Sequence, residues 1–153
     1  MKKKIVITGG LGYIGTELCK LYSGVSWHHK IIVIDNRFIS ERVSQIRNWN
    51  IEFIQGDILD KNLIKGYCED ADVIHHLAGI TDVPRIKTEA SKDKDKRIKE
   101  VAEKGTQNIL EVISNKCKII FPSTHVVFEG INEVKKDISE NESTNPVLSY
   151  SSS

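Results

Sequence analysis

Thr8-Gly9-Gly10-Leu11-Gly12-Tyr13-Ile14-Gly15 stands between a β-branched run, Lys4-Ile5-Val6-Ile7, and a segment of helical spacing from Ile14 to Tyr22. The octet satisfies G-x-G-x-x-G through Gly10, Gly12 and Gly15, and G-x-x-G-x-x-G through Gly9, Gly12 and Gly15. Strand, glycine turn and helix in that order is the context that makes such a pattern specific. A tight turn calls for positive φ, which glycine adopts without steric cost. One missing side chain lets a diphosphate approach the backbone, and another lets the helix pack closely on the strand. The helix N-terminus then offers free N–H groups and a positive dipole end to the phosphates.

The remainder of the chain alternates in the same way. Ile31-Ile32-Val33-Ile34 reads as a second strand, apolar throughout as expected when both faces are covered. Ile51 to Ile54, Asp72 to Leu77 and Lys118 to Phe121 read as three more. Helices are expected over 14–22, with Ile14, Leu18 and Leu21 on the buried face, over 60–67, and over 90–115, with Ile98, Val101, Ile109, Val112 and Ile113 as the buried stripe. Such alternation implies an α/β fold, a doubly wound parallel sheet with helices on both faces. Asp35 closes the second strand, where a dinucleotide fold places a carboxylate to accept hydrogen bonds from the adenosine ribose. That carboxylate repels a 2′-phosphate and so favours NAD over NADP, a preference that Arg37 softens; an Asp there can also merely cap a helix.

Charge and composition exclude several classes. Lys plus Arg number 22 and Asp plus Glu 21, so no cationic surplus points to nucleic acid. No apolar run approaches the roughly 20 residues of a membrane span. The opening Met1-Lys2-Lys3-Lys4 is followed by too short an apolar stretch for a signal peptide. Cys19, Cys68 and Cys117 are scattered and form no C-x-x-C, as expected of reduced thiols in a cytoplasmic protein. The doublets His28-His29 and His75-His76 lack a carboxylate or cysteine at ligand spacing, so no metal is expected. Strand alternation also turns neighbouring residues to opposite faces. Trp27 and Trp49 read as packing residues, and the mixed-sign run Lys92 to Arg97 as a solvated helix start.

These motifs together resemble the NAD-dependent epimerase/dehydratase family, the extended short-chain dehydrogenases/reductases that act on nucleotide sugars, over nearly all 153 residues. The resemblance implies a Rossmann-type domain over residues 1–153, and NAD contacts at Gly9, Gly12, Tyr13, Ile14 and Gly15. It further implies ribose contacts from Asp35 and Asn36, and adenine contacts from Asp57 and Ile58 in Gly56-Asp57-Ile58. Leu77, Ala78 and Gly79, within His76-Leu77-Ala78-Gly79, would lie beneath the nicotinamide. Gly105-Thr106-Gln107-Asn108-Ile109-Leu110-Glu111 matches the long helix that follows, and Ser123-Thr124-His125-Val126-Val127-Phe128 the active-site segment. Pro146 and Tyr150 match the approach to Tyr-x-x-x-Lys.

By that resemblance Tyr150 is the acid/base toward a sugar hydroxyl, and Thr124 hydrogen-bonds the same oxygen. A free tyrosine has a pKa of about 10, and the family lowers it with a lysine four residues on. That lysine would be residue 154, past Ser153. The expectation is therefore an N-terminal part without turnover of its own, lacking the later strands and the substrate region. Two departures bear on the reaction. Ala102 replaces a usual Asn three residues before Gly105-Thr106, and His125-Val126 replaces the acidic pair of sugar dehydratases. The opening loop and His76-Leu77-Ala78-Gly79 look most like 4-epimerases, whereas Ser123-Thr124-x-x-Val127-Phe128-Glu129-Gly130 looks like keto-reductases that use NADPH. Asp35 favours the epimerase; a dinucleotide sensor without catalysis is a third reading. His125 is read equally as substrate-facing or as a plain loop residue. A nucleotide-sugar substrate and a homodimer formed through the long helix and the catalytic helix, of which only the first is complete in these residues, complete what the family implies.

Overall fold

The computed structural model describes residues 1–80, 92–131, 137–147 and 150–153, with nothing stated of the side chains of 92–95. Five parallel strands form one sheet: β1 (Lys4–Thr8), β2 (Lys30–Asp35), β3 (Glu52–Gln55), β4 (Val73–His76) and β5 (Lys118–Ile120). Their spatial order is β3-β2-β1-β4-β5. The chain winds outward from β1 to β3, returns to the other side of β1, and continues through β4 to β5. β1 therefore lies at the point where strand order reverses, and such a point opens a crevice at the carboxyl ends of the strands.

Two apolar layers follow from the pleat. Ile5, Ile7, Ile31 and Val33 face one side, where they meet Cys19, Val43 and Ile46. Val6, Ile32, Ile34 and Ile74 face the other, against Ile64, Cys68 and Ile109. All of β2 from Ile31 onward is buried, as expected for a strand covered on both faces. Burial pushes the thiols of Cys19 and Cys68 up to about 12, and all three cysteines are free. Among the described residues no helix is long and apolar enough to cross a membrane.

The helices are α1 (Tyr13–Ser23), α2 (Ser40–Asn48), α3 (Lys61–Cys68), α4 (Lys92–Lys99) and α5 (Gly105–Val112). In α1 the buried residues are Gly15 and Cys19, with Leu18 and Tyr22 packed beside them. The expected face was misplaced: Ile14 is 62% and Leu21 78% exposed. Close packing at Gly15 rotates the helix so that the stripe runs through positions 15, 19 and 22. The sequence reading has no helix at α2, which buries only Val43 and Ile46 among polar neighbours. The third helix sits where expected, its first turn capped by Asp60, which accepts from the amides of Asn62 and Leu63.

The expected helix over 90–115 is present in two pieces, residues 90 and 91 lying outside the described residues. A π-helical turn, Glu100–Lys104, joins α4 to α5, and regular helix ends at Val112. Ile98 and Ile109 are buried, and Val101, Val112 and Ile113 pack against the cluster that holds Ile109, as expected. Trp49 packs on the core, but Trp27 is 74% exposed and is not a packing residue.

Ile32 has no exposed surface and sits between β1 and β3. Ile32→Ala is expected to cost about 2–5 kcal/mol through lost transfer energy and a residual cavity, read as a lower urea midpoint at unchanged m-value.

Candidate functional site

A crevice of about 800 Å³ opens at the carboxyl ends of β1, β2, β4 and β5. Its floor is the glycine turn. Gly9 has φ +69°, and a Cβ there would lie 2.7 Å from the Cα and N of Ala78. A Cβ on Gly15 would fall 2.6 Å from the Cα of Gly10 and the carbonyl oxygen of Gly9. At Gly12, by contrast, a Cβ would meet only the Gly9 oxygen at 3.1 Å and an Arg37 nitrogen at 4.0 Å. Gly12 thus borders open space at the N-cap of α1. Tyr13, Ile14 and Gly15 carry the first N–H groups of that helix, which have no intrahelical acceptor. No acid stands in this first turn to neutralise the dipole. Tyr13 and Ile14 are exposed and line the opening, which explains why Ile14 is not in the core.

At one end lie Asp35, Asn36, Asp57 and Ile58. Asp35 is buried, yet both carboxylate oxygens are engaged. Oδ2 accepts from the Leu11 amide at 3.0 Å, and Oδ1 from the Arg37 amide at 3.0 Å and the Arg37 Nε at 3.2 Å. It caps no helix. Asp57 accepts from the Leu59 amide and is approached by Asn36 Nδ2 at 3.4 Å and by Arg97 at 3.6 Å. Buried Asn108 donates to the carbonyls of Ile58 and Leu59 at 3.0 and 3.2 Å, which fixes this loop on α5. Gly105 makes room for Ile58, whose Cδ1 would lie 2.3 Å from a Cβ there.

The middle of the wall is Leu77, Ala78 and Gly79 after β4. His76 holds it. Its Nδ1 lies 2.7 Å from Thr8 Oγ1 and its Nε2 3.0 Å from Thr106 Oγ1, while the Ala78 amide donates to Thr8 Oγ1 at 3.3 Å. His75 points the other way, to the Tyr22 hydroxyl at 2.7 Å, so the doublet is split across the sheet as alternation requires. Among the described residues no three His, Cys, Asp or Glu side chains gather as a metal site.

Thr124 and Tyr150 line the far end, on the same crevice as the glycine turn. Thr124 precedes a 3₁₀ turn, His125–Phe128, and its Oγ1 accepts from the Val126 amide at 3.3 Å. His125 is exposed and does not line the crevice. The polar segment before Tyr150 is pinned to this turn. The Asn145 amide donates to the Val127 carbonyl at 2.9 Å, the Gly130 amide to the Asn145 carbonyl at 2.9 Å, and Asn145 Nδ2 to the Gly130 carbonyl at 2.6 Å. Glu129 accepts from the Val147 amide and from the Ser151 hydroxyl.

All fourteen residues named from the sequence border this one crevice. Sequence reasoning missed Asn108, His76 as an anchor, Glu129 and Asn145. The first three stood within quoted motifs, which was the available signal; Asn145 had only its place before Pro146. It also treated Arg97 as solvated, whereas Arg97 borders the crevice beside Asp57. The donor set suits a dinucleotide: free amides at a side-chain-free turn for a diphosphate, a carboxylate for a ribose diol, and two hydroxyl side chains at the other end.

The family model described as 3-beta hydroxysteroid dehydrogenase/isomerase matches residues 6–152. The chain belongs to that family, which is NAD-dependent and epimerase/dehydratase-like, and whose members are enzymes. A UDP-N-acetyl-alpha-D-glucosaminuronate decarboxylase of Bacillus cytotoxicus is 34% identical over 84% of the chain and 38% of the relative. The structure of a UDP-N-acetylglucosamine 4-epimerase from Methanobrevibacter ruminantium M1, in complex with UDP-N-acetylmuramic acid, superposes with TM-score 0.76 at 25% identity, over 99% of the chain and 47% of that one. UDP-glucose 4-epimerase from Bifidobacterium longum, solved with NAD+ and UDP, has the same fold, with TM-score 0.76 at 24% identity over 97% and 45%. The chain thus spans less than half the length of these relatives.

Burial pushes the His76 imidazole from 6.5 down to about 4. Between these values the unfolded chain binds a proton that the fold refuses, so stability is lost as pH falls. Burial, with Lys118 nearby, lowers His75 in the same direction. Denaturant titrations are expected to show about 2 kcal/mol lost between pH 6.5 and 5, at about 1.4 kcal/mol per unit for His76. His76→Gln is expected to flatten that slope.

Proposed function

We propose that residues 1–153 are the NAD-binding part of a nucleotide-sugar 4-epimerase. The observation that carries the reading is the joining of Thr124 and Tyr150 to the glycine turn along one crevice, with no acid following Thr124. An acidic pair there would serve dehydration, and exposed His125 with half-buried Val126 supplies none.

On this reading the amides at the start of α1 hold the diphosphate, Asp35 and Asn36 the adenosine ribose, and Asp57 with Ile58 the adenine. Leu77, Ala78 and Gly79 wall off the nicotinamide end. NAD held there would supply reversible hydride exchange at the sugar C4. Tyr150 moves the proton of the C4 hydroxyl, and the Thr124 hydroxyl steadies that oxygen while charge develops on it. Asn145 and Glu129 position Tyr150 through the backbone of residues 145–147 and through Ser151. The family supports NAD as the coenzyme, and the 4-epimerases among the solved relatives support the reaction.

Calorimetry with NAD is expected to show one site on the chain. In the whole protein, Tyr150→Phe is expected to lower kcat for interconversion of UDP-glucose and UDP-galactose by about 10²–10⁴-fold with NAD affinity unchanged. NAD binding without C4 inversion of any UDP-sugar would overturn the epimerase assignment and leave the coenzyme assignment standing.

A further inference from the structure

Asp35 has about four acceptor positions on its two oxygens, and four N–H groups already occupy them. Two are backbone amides, Leu11 to Oδ2 and Arg37 to Oδ1, both at 3.0 Å and fixed by the turn and by the end of β2. The other two come from one guanidinium: Arg37 Nε reaches Oδ1 at 3.2 Å and Nη2 reaches Oδ2 at 3.4 Å. This is a two-pronged grip, one nitrogen to each oxygen. A ribose diol presents the same pattern, one hydroxyl to each oxygen.

We infer that Arg37 competes with the adenosine ribose for Asp35, and that the chain therefore discriminates only weakly between NAD and NADP. The inference rests on the dinucleotide reading of the crevice. The Asp35 side chain is 4% exposed and cannot turn to offer other lone pairs, whereas the Arg37 side chain is 57% exposed and can swing out. While paired to Asp35 the guanidinium already stands at the mouth beside Gly12, with Nη2 4.0 Å from where a Cβ there would lie. Arg42, on α2, donates to the Leu11 carbonyl and lines the same end. With NAD the diol must displace the guanidinium. With NADP one hydroxyl is lost, but the displaced guanidinium gains a 2′-phosphate, a better bidentate partner than a carboxylate it must share. Asp35 penalises the phosphate and Arg37 rewards it, so the two effects offset.

The test is calorimetric titration of the chain with NAD and NADP, for the wild type, Arg37→Ala and Arg37→Lys. The exposure of Arg37 means that neither variant should unfold the chain, and thermal melts check this. Wild-type affinities for the two coenzymes are expected to agree within about tenfold. Arg37→Ala should tighten NAD and weaken NADP, moving their ratio by more than about tenfold, the scale of one charge-assisted hydrogen bond. Arg37→Lys, a point charge without the fork, should tighten NAD while keeping most of the NADP affinity. A ratio unmoved by Arg37→Ala, or NAD weakened by it, overturns the inference while the coenzyme reading stands. If the folded wild type binds neither coenzyme, the coenzyme reading fails and the inference falls with it.

Discussion

The turn after β1 presses directly on the loop after β4, and the crevice exists because of that contact. A Cβ on Gly9 would sit 2.7 Å from the Ala78 backbone, closer than packed atoms tolerate. The end of β1 is stitched to both neighbours at this level, with the Gly9 amide bonded to the Ile34 carbonyl at 2.7 Å and the Leu77 amide to the Thr8 carbonyl at 3.1 Å. Any side chain at Gly9 would have to part β1 from β4 or abandon a φ of +69°. Both changes would displace the wall of the crevice. The reversal of strand order around β1 then leaves the space beyond the turn open to a ligand rather than filled by a crossover.

Polar side chains set the loops that this contact leaves free. Every buried side-chain nitrogen and oxygen among the described residues has a hydrogen-bond partner. Asn108 ties the loop at Asp57 and Ile58 to α5, and His76 ties the loop at Ala78 to both β1 and α5. Such bonds each add modest net stability, but losing one partner strands a buried polar atom at greater cost. The positions of the binding groups are therefore set by side chains that need not touch a ligand. The end of the crevice at Thr124 and Tyr150 is built differently. Thr124 follows β5 directly, whereas Tyr150 arrives through a polar segment held by Asn145 and Glu129 on the turn after Thr124.

What could be read from residues alone was local or periodic. The glycine octet, the five β-branched runs and Asp35 at a strand end are short-range patterns, and each governs backbone conformation or burial within a few residues of itself. Helix α2 left almost no such trace, because Val43 and Ile46 are its only buried residues. The orientation of α1 was misread for a related reason: an apolar stripe records which residues avoid water, and Ile14 is apolar because it borders the crevice rather than the core.

The pairing of distant groups followed other rules. Arg97 beside Asp57, Asn108 under Ile58 and Asn145 Nδ2 on the Gly130 carbonyl depend on where separate elements pack. Composition says only that these side chains can donate; whether each meets solvent, a carbonyl or a carboxylate depends on distances across the sheet and between loops. The sequence thus named groups that prove to border one crevice. Tertiary structure settled how they are engaged, since an acid legible at position 35 proves to have its lone pairs filled by the Leu11 amide from the glycine turn and by the amide and guanidinium of Arg37.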